Sequence, residues 1–328
     1  RTFGEIVEQT KNVALSSDNK RSFTLIGDPA LRLALPRLGV VTDSVNGAPY
    51  ISIDTLSALS KVTIKGHIVD ANQVLVSNFN GTIIPSVFDK IKNNQTLAQD
   101  PGSPVLDFEL QRNVLYKGKA SVNNGYFEFS FIVPKDIALN YGRGKLSYYA
   151  FSNQTDAIGL DTTVLIGGID PNGLVDSIGP EISAYLNDEQ FIDGGISNEE
   201  PVLFIKLFDE SGINTVGNGI GHDLMAILDE ESANPIILND YYTSDLNTYQ
   251  SGQVKYPFTT LDPGQHTISV KAWDVNNNSS DVKMSFTVQA AETPLVKRLY
   301  NYPNPFSTAT EFMLEHNQSC DVKDVQIQ

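Results

Sequence analysis

Cysteine is almost absent. The 328-residue chain has one, Cys320, along with one Trp, three Met and four His. A single cysteine cannot close an internal disulfide or supply a thiolate zinc cage. No histidine pair has the short spacing of a helical metal site. Basic residues are also scarce: 23 Lys and Arg against 39 Asp and Glu, for a net charge of -16. That surface repels a phosphate backbone and excludes nucleic acid as a partner. No run approaches the roughly 18 apolar residues of a membrane helix, and no signal peptide is visible. The chain opens on Arg1 rather than Met, as expected of an internal fragment.

Alternation dominates what is present. Phe3, Ile6 and Val7 have helical spacing, and Phe23 to Ile26 reads as a short buried strand ending at Gly27-Asp28-Pro29. Residues 1–40 therefore read as a short α/β remnant, too small for a core of its own and expected to seek cover on the next domain. After Val40 the pattern turns to period two, as in Val62–Val69, Tyr126–Val133 and Leu146–Ala150. Asn123-Asn124-Gly125 is a hairpin turn signal. The expected class is mainly β, with two immunoglobulin-like β-sandwich domains at residues 45–168 and 177–290. Trp273, in a strand after a Pro-Gly turn, is expected to be a core anchor. In Tyr148-Tyr149 and Tyr241-Tyr242 one ring of each pair should be core and the other exposed.

Candidate chemistry is sparse. Cys320 and His316 lie near each other in a polar stretch with no strand-to-helix elbow, so an incidental thiol is the expected reading. Asp274, Asn276 and Asn278 space side-chain oxygens at every second position, and Asp209 ends another strand. These four are the candidate calcium ligands, set against a plainer role in Asx turns. No other cofactor is expected. The acidic Asp229-Glu230-Glu231 reads as a solvated turn.

Three stretches, in order, resemble one family. Phe23-Thr24-Leu25-Ile26-Gly27-Asp28-Pro29 and the residues through Leu33 resemble the end of a gingipain-type (C25) cysteine peptidase domain. Phe79 to Lys90, with Tyr126–Phe131 and Tyr141–Lys145, resembles the region behind the catalytic centre in the type IX secretion sortases of that family. Asn301-Tyr302-Pro303-Asn304-Pro305-Phe306 resembles the opening of a type IX C-terminal sorting domain, which would occupy residues 298–328 and dock Phe306 on a sheet.

The resemblance implies a non-catalytic region whose parent cleaves sorting signals of exported cargo and attaches the cargo to the cell surface. The parent's catalytic His and Cys would precede Arg1. The implied partners are the upstream peptidase domain in cis, type IX translocon or attachment proteins, and cargo through the parent. The implied location is the outer-membrane surface of a Gram-negative cell. Two other readings remain open: the accessory region of a secreted gingipain-like protease, and a surface adhesin or sugar-binding module.

Overall fold

The computed structural model describes residues 1–13, 23–49, 55–215, 221–289 and 296–316. A helix, α1 (Phe3–Val13), opens the chain. Thr2 and Glu5 form a capping box: the Thr2 backbone N–H donates to Glu5 Oε2 at 2.8 Å and the Glu5 N–H to Thr2 Oγ1 at 3.3 Å. No α1 residue is buried. Its first turn leans on its own following segment, with Phe3 N–H donating to Leu31 O and Gly4 N–H to Pro29 O.

Residues 23–26 form no strand, and Phe23 and Ile26 are 73% and 95% exposed. A strand needs a neighbour, and no described strand of this chain pairs with that stretch. The remnant therefore keeps its apolar face open rather than covering it on the next domain. No helix among the described residues is long and apolar enough to cross a membrane.

Among the described residues, fourteen strands build the first domain. They are β1 (Leu38–Val45), β2 (Ala48–Pro49), β3 (Leu56–Ala58), β4 (Lys61–Val69), β5 (Gly81–Phe88), β6 (Lys92–Gln95) and β7 (Asp107–Leu110), then β8 (Val114–Lys117), β9 (Ala120–Asn123), β10 (Tyr126–Ile132), β11 (Gly142–Arg143), β12 (Lys145–Phe151), β13 (Asp156–Asp161) and β14 (Leu165–Ile169). The mainly β class is the expected one.

The arrangement of the first domain is more specific than two facing sheets. Its strands run in the order β12-β13-β1-β4-β10-β9-β5-β8, and β5 also pairs with β12, so the sheet closes into a barrel. Closure removes the edges that an open sheet would expose. The inward residues of alternating strands fill the barrel, among them Ile64, Ile83, Phe131 and Leu146. Gly66 faces Phe127 across β4 and β10, where a Cβ would lie 2.3 Å from Val41 O and 2.5 Å from the Phe127 ring. Only glycine fits there. The β9–β10 hairpin turns on Asn124 and Gly125 at φ of 52° and 82°, the left-handed pair its sequence signals.

The second domain is a two-sheet sandwich. Its strands are β15 (Glu181–Leu186), β16 (Ile196–Ser197), β17 (Val202–Phe208), β18 (Met225–Leu228), β19 (Ile236–Ile237), β20 (Tyr242–Ser244), β21 (Ser251–Pro257), β22 (Gly264–Trp273) and β23 (Ser279–Val288). The sheet β15-β17-β21-β20 faces β16-β23-β22-β18-β19 over a separate core that includes Leu203, Ile205, Val270 and Phe286. Tyr148 and Tyr242 are buried while Tyr149 and Tyr241 are exposed, as the alternation requires. Trp273 is only half-buried. Its ring lies 4.3 Å from that of His222, at the junction of the two domains rather than in the core. It ends its strand, where the sandwich meets the barrel. A hairpin of β24 (Val296–Tyr302) and β25 (Glu311–His316) follows.

His266 supplies a pH-dependent element of the sandwich. Its Nδ1 lies 2.7 Å from Asp229 Oδ2 and its Nε2 lies 2.7 Å from Asp262 O. Both nitrogens face acceptors, so the doubly protonated ring fits. Burial opposes the charge, yet the bonds to Asp262 and Asp229 outweigh it and raise the pKa above the usual histidine value. A raised folded pKa stabilises the fold below the unfolded value near 6.5, and that contribution is lost as pH rises through the folded one. Wild-type stability from urea titrations should therefore fall as pH rises above about 6.5, with a shallower fall in His266→Gln. Equal slopes in the two proteins would contradict the assignment.

Candidate functional site

The structure brings Asp209 and Asp274 together and adds a carboxylate that the sequence reading missed, Asp176. One oxygen from each lies within 4.8 Å of the others. Asp209 follows β17, Asp274 follows β22, and Asp176 sits in the connection before β15. Nothing in the local sequence pattern singles out Asp176; only the return of the connection past the strand ends places it here.

Each carboxylate is braced. Asp209 Oδ1 accepts from Ser211 N–H, Ser211 Oγ and Gly212 N–H. Asp274 Oδ1 accepts from Asn278 N–H at 2.6 Å, and its Oδ2 accepts from Asn278 Nδ2 at 2.7 Å. Asn278 thus serves as a donor to Asp274, with its amide nitrogen and not its oxygen turned to the carboxylate. Asn276 is buried. Asp176 Oδ1 accepts from Ser177 and Ile178 N–H.

Burial raises the pKa of both Asp209 and Asp274. The negative charge of Asp176 adds to the rise in both, and that of Asp209 in Asp274. Two charges at this separation repel by roughly 3 kcal/mol at an effective dielectric of ~20. Three carboxylates around one point are the all-oxygen donor set that a hard cation such as calcium takes.

The stretch Tyr302-Pro303-Asn304-Pro305-Phe306 runs from the end of β24 into the loop of the β24–β25 hairpin. Tyr302 ends β24, the Tyr302–Pro303 and Asn304–Pro305 bonds are cis, and Thr310 Oγ1 donates to Pro303 O at 2.9 Å. β25 pairs antiparallel with β24, and the two form a two-stranded sheet of their own. Phe306 is 56% exposed and not docked on a sheet. Two prolines remove the donors a further strand would need, so the motif projects as a loop. Cys320 lies outside the described residues.

Three histidines pair with carboxylates: His67 with Asp43, His222 with Asp136, and His266 with Asp229. The two acceptors of His266 occupy both of its nitrogens. His222 contributes to a different feature, the contact between domains. Its Nδ1 lies 2.5 Å from Asp136 Oδ2 of the barrel, whose Oδ1 accepts from Asn277 Nδ2 at 2.6 Å. Lys135 N–H donates to Val275 O beside them.

No protein-family profile matches the sequence, and no curated protein does. Among solved structures, dimeric latent PorU from Porphyromonas gingivalis aligns at 32% identity, over 97% of this chain and 30% of its own, with a TM-score of 0.49. The chain is similar to PorU. The chain spans less than a third of PorU's length.

The fibronectin(III)-like modules of Clostridium thermocellum CbhA align at 14% identity, over 77% of this chain and 95% of theirs, with a TM-score of 0.21. Trypsin-activated alpha-2-macroglobulin from Escherichia coli aligns at 13%, over 77% and 17%, with a score of 0.26. Neither of these two says anything about function.

Removing one charge from the triad should stabilise the fold. Asp176→Asn keeps the Oδ1 acceptor. Solvent at this partly exposed site leaves a gain of about 1 kcal/mol, or 2–4 °C in melting temperature. Raised pKa values at Asp209 and Asp274 mean that the fold loses stability as pH rises above about 3.8 through their folded values. The variant's advantage should thus be present at pH 7.5 in a chelating buffer and shrink toward pH 4. A variant that melts lower than wild type in chelator at pH 7.5 would show that the carboxylates do not repel.

Proposed function

We propose that this chain is a non-catalytic region of a type IX secretion sortase related to PorU. Its parent would cleave the sorting signals of exported cargo and join the cargo to the outer-membrane surface. The supporting observation is 32% identity to PorU over 97% of this chain, together with the order of the three motif stretches. On this reading the barrel and the sandwich are a platform behind the peptidase domain, and the proline-rich loop at Tyr302–Phe306 is the start of the parent's own sorting domain. The described residues offer histidine–carboxylate pairs that brace the fold.

The open face of α1 and the residues after it suits this role. Phe23, Ile26, Leu31 and Leu35 are all exposed, and burying each such side chain is worth about 1.5–3 kcal/mol. In the parent, the upstream peptidase domain would supply that cover.

Two assays test the reading together. The purified chain should leave a peptide carrying a type IX sorting sequence intact. A parent gene lacking residues 38–289 should fail to restore cargo attachment in a host whose sortase is deleted, although the truncated parent is still made. Cleavage by the chain alone, abolished in Cys320→Ala, would make the chain catalytic. Full attachment by the truncated parent would remove the platform role.

A further inference from the structure

A groove of about 720 Å³ runs between the outer face of the barrel and the β20–β21 loop of the sandwich. One wall is the outward side of β4 and β10, where cross-strand register sets Tyr126 beside His67 and Glu128 beside Lys65. The other wall is Asn247, Thr248, Tyr249 and Gln250. The walls are held in place. Asn247 Oδ1 accepts from Ser121 N–H at 2.7 Å, its Nδ2 donates to Ser121 Oγ at 2.9 Å, and its own N–H donates to Lys119 O. A ligand would therefore meet a groove already formed, without the cost of ordering it.

The lining sets the ligand's chemistry. Tyr126 is 53% exposed, with its ring tilted against His67 at 5.9 Å. His67 is in turn fixed by Asp43 at 2.8 Å. This makes an aromatic ledge braced from behind. The polar groups are carboxylates (Asp43, Glu128), amides (Asn123, Gln250) and hydroxyls. The one lysine, Lys65, is already paired with Glu128 at 2.8 Å. Two carboxylates against one ammonium, in a chain of net charge -16, repel phosphate, sulfate and uronate groups.

Strand addition is closed to a peptide, because β4 and β10 are each paired on both sides. The apolar rings of Phe127 and Phe129 point into the core, so no hydrophobic pocket waits for peptide side chains. What remains is a surface that accepts hydrogen bonds from many hydroxyls and stacks one flat apolar face.

The geometry points to a binding site for a neutral oligosaccharide in this groove, with Tyr126 as the stacking platform and Asp43, Glu128 and Gln250 as hydroxyl partners. The site goes beyond the platform role and does not depend on it.

The chain is screened on an array of neutral and anionic glycans, with an unstructured polypeptide as a further probe, and the best ligand is titrated by NMR. At least one neutral glycan should bind and shift the amides of residues 65–67, 126–130 and 247–250. Tyr126→Ala should weaken it by roughly tenfold, as should Glu128→Ala. Tyr141→Ala, an exposed tyrosine elsewhere, should leave it unchanged. Should Tyr126→Ala alter the melting temperature, Glu128→Ala and the shift map decide. No neutral glycan bound, only anionic glycans or the polypeptide bound, or affinity unchanged in both groove variants would each overturn the site.

Discussion

Asp136 stands where the barrel meets the sandwich and accepts hydrogen bonds from two side chains of the other domain, His222 and Asn277. A carboxylate with a side chain only 15% exposed and two donors at 2.5 and 2.6 Å is a demanding contact. Hydrogen bonds to a charged group contribute about 1.5–3 kcal/mol, and more is lost when the charge is left without them. Around it, Tyr249 packs on the barrel core, and Tyr116 of the barrel lies beside Tyr242 of the sandwich. Burial raises the pKa of both of those phenols, so they stay neutral. The relative position of the domains is thus set by this charged clamp on an apolar bed, together with the bonds from Asn247 to Ser121 and Lys119 and from Lys135 to Val275.

The segment 274–278 joins this clamp to the acidic cluster. Asn277 reaches Asp136, Val275 O accepts from Lys135, and Asp274 lies in the triad with Asp176 and Asp209. Repulsion within the triad acts on the same short turn that anchors the domains. The groove beside Tyr126 depends on that junction too, since one of its walls comes from each domain.

Much of this was legible in the residues. The strands after Val40 followed from alternation, the Asn124-Gly125 turn from its left-handed pair, and the burial of one ring in each tyrosine doublet from pleat geometry. What was not legible depends on distant chain segments meeting. Closure of the barrel needs β5 to reach β12, a pairing no local pattern encodes. Asp176 joins Asp209 and Asp274 only because a connection returns past two strand ends. Trp273 was expected in the core and lies at the junction, because its strand ends against the other domain. The strand at residues 23–26 and the docking of Phe306 were expected from apolar composition, and both lack a partner among the described residues.

The central claim is that the barrel and the sandwich act as one body held through Asp136. Differential scanning calorimetry tests it directly. The wild type should unfold in a single transition whose calorimetric and van't Hoff enthalpies agree, and Asp136→Ala should split it into two. Two resolved transitions in the wild type, or one unchanged transition in Asp136→Ala, would contradict the claim.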